Sequence, residues 1–266
     1  MRSRIPLVPE RIRRIYTWFT VAIVALFAIS TASTGFNAFS LMGSSGEIWK
    51  FLTEDFLPPA LPSASKARDI AEGVLVTLAL AVSSTTVAAV LAFLTSLFGS
   101  ERVSPRPKAA KFVRGFATFL RNIPTLVWAF ILFSSLGIGT GVGFAALLIT
   151  SYAFMCRAFI ETMEDVSDDC CESLAAVGAS FPQRVAQAIL PSCLVGFISW
   201  YLYCLEVNIR ASTIVGMVGG GGIGLVLFSY IKTFQYGMSC TIILIIALMV
   251  IAVDQVTGAL RREISK

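Results

Sequence analysis

Glu172-Ser-Leu-Ala-Ala-Val-Gly-Ala-Ser-Phe-Pro-Gln-Arg-Val-Ala-Gln-Ala-Ile-Leu-Pro191 is a polar stretch enclosed by long apolar runs. Ser167, followed by Asp168 and Asp169, makes a good helix start, because a hydroxyl accepts from free backbone amides and acidic side chains suit the helix dipole. Gly178 is a natural stop for that helix. Ser180 and Gln183 have the spacing of a capping box and open a second short helix. Pro191 predicts that this second helix ends near Leu190. The stretch therefore reads as helix, glycine hinge, helix. In a soluble protein the same unit would be an ordinary helix-turn-helix corner, so its setting decides its meaning.

Composition supplies the setting. The chain is 56% hydrophobic and 14% charged, against roughly 25% charged residues in a soluble domain. Crossing a bilayer takes roughly 20 mostly apolar residues. Six runs of that kind are read, from Ile15 to Phe36, Ile70 to Leu97, Phe112 to Leu136, Val142 to Met163, Ser192 to Val215 and Met238 to Leu260. They are too long, and alternate too little, for barrel strands. The expectation is an all-α membrane protein with six transmembrane helices. Residues 1–69 would hold an N-terminal tail, the first span and an external loop. Residues 70–266 would form a core of five spans with a polar loop over 164–191.

Lys and Arg set the expected orientation, since basic loops stay in the cytoplasm. Arg2, Arg4, Arg11, Arg13 and Arg14 precede the first span. Arg102, Arg106, Lys108, Lys111 and Arg114 follow the second, and Arg261, Arg262 and Lys266 follow the last. With six spans all three groups share one side, and so does the stretch ending at Pro191. The net charge of +5 is then topological, and no soluble basic module for nucleic acid is present. A basic start, an apolar run and small residues around Ser30 to Ser33 also fit a cleaved signal, although the run is long for one. Asn37 to Asp69, with Leu57-Pro-Pro-Ala-Leu-Pro62, reads as an external lid or interfacial segment.

Several chemistries are excluded. The chain contains no histidine, which removes Ser-His catalysis and histidine-based zinc motifs. No phosphate loop is encoded, so the chain builds no ATP site of that kind. Adjacent Cys170 and Cys171 lack zinc-site spacing, and the other four cysteines lie in spans. No catalytic residue and no metal ligand is assigned. Gly219, Gly221 and Gly224 match the glycine spacing of a dinucleotide loop, but they follow a membrane helix and no βαβ unit. They are read instead as close helix packing, a bent backbone or a gate.

Charges inside spans carry weight because burying them in lipid is costly. Glu206 and Arg210 are one helical turn apart in the favourable order, suited to an internal pair or to a substrate contact. Counted from Pro191 they lie roughly 22 to 29 Å along the fifth span. Arg121 and Asn122, just before Pro124, fall on the inner half of the third span with no acidic residue one turn away. Arg157 and Glu161 read as a structural pair near a span end.

Glu172, Gly178 and Pro191 match the Glu-Ala-Ala loop of ABC-importer permeases in identity and spacing, with departures at Ser173, Leu174 and Ala188. Glu206-Val-Asn-Ile-Arg-Ala-Ser-Thr-Ile-Val-Gly-Met-Val-Gly-Gly-Gly-Gly-Ile-Gly224 resembles phosphonate-transporter permeases, as does Arg121-Asn-Ile-Pro-Thr-Leu-Val-Trp-Ala129. The resemblance implies a type I importer permease fold and an ATP-driven import of phosphonate or a related small phosphorus oxyanion, such as phosphite or hypophosphite. It implies a homodimer in a bacterial inner membrane with both termini cytoplasmic. Two cytoplasmic ATPase subunits would bind ATP and Mg, and an external binding protein would deliver the anion. Glu172, Ala175, Ala176, Gly178, Ala179, Ser180 and Pro191 would couple to the ATPase. Arg121, Asn122, Glu206, Asn208, Arg210, Gly219, Gly221 and Gly224 would line or gate the pathway. Thr125 and Thr150 stand where that family often has an acidic residue and a histidine, which leaves the individual oxyanion open. The rival reading is a secondary transporter or channel for a small anion.

Overall fold

In the computed structural model the described residues are 10–35, 43–101, 107–166, 173–174 and 176–264. The readings placed on Ser167, Asp168, Asp169, Cys170, Cys171, Glu172 and Ala175 fall outside them, as do those on Arg2, Arg4, Arg102, Arg106 and Lys266. Among the described residues every regular element is helical. The chain divides into two units, Met1–Asp55 and Phe56–Lys266.

The first unit carries α1 (Glu10–Thr34) and α2 (Ser45–Lys50). Ile15, Trp18, Phe19, Leu26 and Phe27 of α1 are all exposed. A helix that is apolar around its circumference is suited to lipid.

The second unit holds α3 (Ala64–Gly99), α4 (Pro107–Arg121), α5 (Thr125–Leu136), α6 (Thr140–Val166) and α7 (Phe181–Arg184). It continues with α8 (Leu190–Val215), α9 (Gly222–Lys232) and α10 (Tyr236–Ile264). The buried stripe of α3 is made of small residues, among them Gly73, Ala81, Ser84, Ala88, Ala92 and Ser96. Small residues let α6 and α8 approach closely where lipid offers no hydrophobic drive between helices. Met155, Cys156, Phe159 and Ile160 of α6 fill the resulting core with Ala88, Ala92, Cys193 and Phe197. The hydroxyls of Thr77, Thr85, Thr150 and Thr162 donate to carbonyls one turn back, which keeps these polar groups satisfied inside the span.

Five helices among the described residues are long and apolar enough to cross a membrane, or six if the bent pair α4–α5 counts as one span. The run from Phe112 to Leu136 read as one span is bent, because α4 and α5 meet at 85°. Pro124 lacks an N–H and disfavours helical backbone in the residue before it. The helix therefore closes with the Asn122 and Ile123 amides on Phe119 and Leu120 at 3.3 Å and restarts at Thr125. Arg121 and Asn122 thus sit at a corner.

A correction concerns Pro191. No helix ends at Leu190, since α7 passes through a π turn at Val185–Ile189 directly into α8. Leu190 donates to Val185, five residues back, so the widened turn occurs where Pro191 has no amide to give. The glycines after Val215 also do more than end a span, because they lead into α9, a short apolar helix that the hydropathy reading passed over.

Candidate functional site

The polar corner keeps its local chemistry. Gly178 adopts φ +82°, a left-handed conformation natural to glycine, and the Ala179 amide donates to the Leu174 carbonyl at 3.0 Å. The Ser180 amide and hydroxyl each donate to Gln183 Oε1 at 2.8 Å, so the capping box is present. Ala176, Val177, Gly178 and Ser180 are exposed, whereas Leu174, Phe181 and Val185 pack against the main core. The tip is therefore a small, exposed surface on an anchored base. Pro191 is exposed in the first turn of α8.

Beneath this corner lies a polar knot that sequence spacing did not reveal. Arg114 of α4 donates through Nε to the Gly99 carbonyl at 2.8 Å and pairs with Glu164 of α6. Glu164 also accepts the Glu101 amide at 2.9 Å and the Ser100 hydroxyl at 3.5 Å. The ends of α3 and α6 and the middle of α4 thus meet on one carboxylate. Arg114 stood in a basic loop read only for topology, and nothing local links it to a residue fifty positions away.

Within the span region a cavity of about 170 Å³ is lined by Thr125, Thr150, Ser151, Phe154, Cys204 and Asn208, with Val207 and Ala211 beside them. It brings together α5, α6 and α8. Asn208 is buried and donates both amide protons, to Thr85 Oγ1 at 2.7 Å and to Ser151 Oγ at 2.6 Å. One side chain of α8 is thereby bonded to both α3 and α6. Arg121 lies over the Phe154 ring, 5.3 Å from its centroid, and has no ion pair among the described residues.

The other charges are separated from that cavity. Arg210 pairs with Glu206 on α8, with Glu206 largely covered and Arg210 half exposed. Arg157 Nη2 bonds Glu161 at 2.9 Å as an exposed intrahelical pair. Asn122 donates to the Thr118 carbonyl at 3.0 Å and so caps its own helix at the corner.

The glycine run forms a third feature. Gly219 adopts φ +102°, and a Cβ there would stand 3.1 Å from the Phe133 ring. Its carbonyl accepts the Gly139 amide at 2.9 Å. Gly221 also has positive φ, 83°, at the start of α9, while Gly224 packs against the Thr213 carbonyl without room for a side chain. The Ile223 amide donates to Thr77 Oγ1 of α3 at 2.9 Å. Close packing and a bent backbone are therefore both present. Among the described residues no cluster of His, Cys, Asp and Glu could hold a metal ion. Cys156, Cys204 and Cys240 are buried free thiols, and Cys193 is buried with its thiol donating to the Thr162 carbonyl at 3.8 Å.

Residues 93–266 match the family model of the binding-protein-dependent transport system inner membrane component. The phosphate-import permease protein PhnE of Mycolicibacterium smegmatis is 29% identical over 188 residues, 71% of this chain and 35% of that protein. The chain thus spans about a third of that relative's length. The phosphite transport system permease protein PtxC of Stutzerimonas stutzeri is 33% identical over 187 residues, 70% of this chain and 68% of that protein. In fold the chain is similar to the MetNI methionine ABC transporter in an inward-facing conformation. The TM-score is 0.68 at 18% identity, over 77% of this chain and all of that one. The chain belongs to the family of binding-protein-dependent transport system inner membrane components, the permease subunits of ABC importers.

Proposed function

We propose that two copies of this chain form the pathway of an ATP-driven importer for a phosphonate or a related small phosphorus oxyanion such as phosphite or hypophosphite. The names of the relatives, PhnE and PtxC, support that substrate class. So does Arg121, a cation without a carboxylate partner among the described residues, placed beside a cavity lined by neutral hydroxyls and an amide. Arg210 sits on the same helix as Asn208, but its charge is already met by Glu206.

The basic groups flanking the first, second and last spans support a cytoplasmic position for the termini and residues 164–191. There two ATPase subunits bind ATP and Mg, and an external binding protein loads the opposite face. The single observation that carries the coupling role is the exposed, capped corner at Gly178 on a base packed into the core. A corner of this kind transmits force because its tip is free to dock while its base is not free to slide. Closure of the ATPases then switches access between the two sides.

Gly178→Arg places a bulky cation at a position with φ +82°. The variant is expected to insert into the membrane and to lose co-purification with the ATPase. Co-purification at the wild-type level would refute docking at this corner.

A further inference from the structure

Both ends of the polar corner rest on the same few residues of α3. On the α6 side, Glu164 takes the Glu101 amide and the Ser100 hydroxyl and pairs with Arg114, which in turn holds the Gly99 carbonyl. On the α7 side, the Phe181 ring lies 6.3 Å from that of Phe98. Phe98 to Glu101 therefore receives the chain as it enters the corner and again as it leaves. The fit is close, since a Cβ on Gly99 would meet Val113 Cγ1 at 2.9 Å and the Ile160 side chain as well.

From there α3 runs as one helix of 36 residues. Its other contact of this kind is with the glycine run. Thr77 Oγ1 accepts the Ile223 amide at 2.9 Å, and a Cβ on Gly73 would stand 3.1 Å from the Ile223 Cα. Thr77 and Gly99 are about 33 Å apart along the helix at 1.5 Å per residue, close to the thickness of a bilayer core.

We propose that α3 is the rod that carries displacement of the cytoplasmic corner to the glycine hinge at Gly219–Gly222, with Arg114 and Glu164 positioning its Gly99 end and Thr77 joining it to the hinge. This rests on the docking reading above. The physical requirements are met locally: an unbroken helix between Thr77 and Gly99, a buried joint at Thr77 and a partly buried one at the Gly99 end, and beyond Thr77 a backbone that bends where Gly219 and Gly221 have positive φ. Neither joint lines the cavity, although Thr85, between them on α3, accepts from Asn208 in its wall.

The test uses the permease with its ATPases and binding protein in proteoliposomes, with ATP hydrolysis and phosphite uptake read in the same sample. Thr77→Val keeps side-chain volume but strands a buried amide, and Arg114→Gln opens the lower joint. Each is expected to retain ATP hydrolysis while uptake per ATP falls about tenfold, the scale of one unsatisfied buried group. The double variant is expected to be no worse than the lower single, because a rod already detached at one end transmits nothing. Unchanged uptake per ATP in either variant, or losses that multiply in the double variant, would overturn the proposal. Hydrogen exchange on the wild-type complex supplies a readout that needs neither a variant nor a substrate. Trapping the ATPases closed should change protection at the Glu101 and Ile223 amides together. A change at Glu101 with none at Ile223 overturns the rod alone. Failure of the wild-type chain to bind its ATPases overturns the docking reading and the rod with it.

Discussion

Replacing Asn208 by leucine removes one side chain that bonds three helices while keeping nearly the same volume. Its amide donates at 2.7 Å to Thr85 on α3 and at 2.6 Å to Ser151 on α6, and the residue is only 3% exposed. Interhelical hydrogen bonds within membranes average about 0.6 kcal/mol and reach about 1.7 kcal/mol. Two of them together predict a loss of about 1 to 3 kcal/mol for Asn208→Leu. Thr85 keeps its own donation to the Ala81 carbonyl at 2.6 Å, so its hydroxyl proton is not stranded and the upper end of that range is not exceeded. The assay is reversible unfolding of the purified permease in mixed micelles, with Ser151→Ala as the partner variant. Ser151→Ala should lose about half as much, and the double variant should be no less stable than Asn208→Leu, because both remove the same bond. A change below about 0.5 kcal/mol for Asn208→Leu, or simple additivity in the double variant, would refute the three-helix joint.

Three further outcomes follow from single sites. Gly219→Ala, at φ +102° and with a Cβ 3.1 Å from the Phe133 ring, should cost about 1 to 2 kcal/mol by the same unfolding assay. Arg121→Gln should lower uptake about tenfold with assembly preserved, the scale of a charge-assisted hydrogen bond. Arg210→Gln should lower uptake less than Arg121→Gln in the same transport assay, because Glu206 already neutralises Arg210.

What the sequence disclosed was local. The Ser180–Gln183 box, the Gly178 stop and the Arg157–Glu161 and Glu206–Arg210 pairs each depend on residues within four positions of one another, and all are present. Long apolar runs placed the other spans to within a few residues, apart from the extra turns of α3 before Ile70 and of α10 after Leu260. The corner at Pro124 was written in the chain but hidden because the run from Phe112 to Leu136, apolar on average, was read across Arg121, Asn122 and the proline as one span. Helix α9 was passed over because its 11 residues are too short for a span and follow a glycine run. Partners separated by many positions were out of reach. Arg114 with Glu164, Asn208 with Thr85 and Thr77 with Ile223 are set by how α3, α4, α6, α8 and α9 pack. The same limit explains why Asn208 was legible only through family resemblance, and why the cavity that unites it with Thr125 and Thr150 was not.

Family membership leaves the secondary transporter or channel without support. The substrate and its drive are tested most directly by uptake of labelled phosphite into vesicles holding the permease, its ATPases and its binding protein. Accumulation should require ATP, survive collapse of the proton gradient and be competed by phosphonate. Accumulation that persists without ATP and follows the proton gradient would contradict the account.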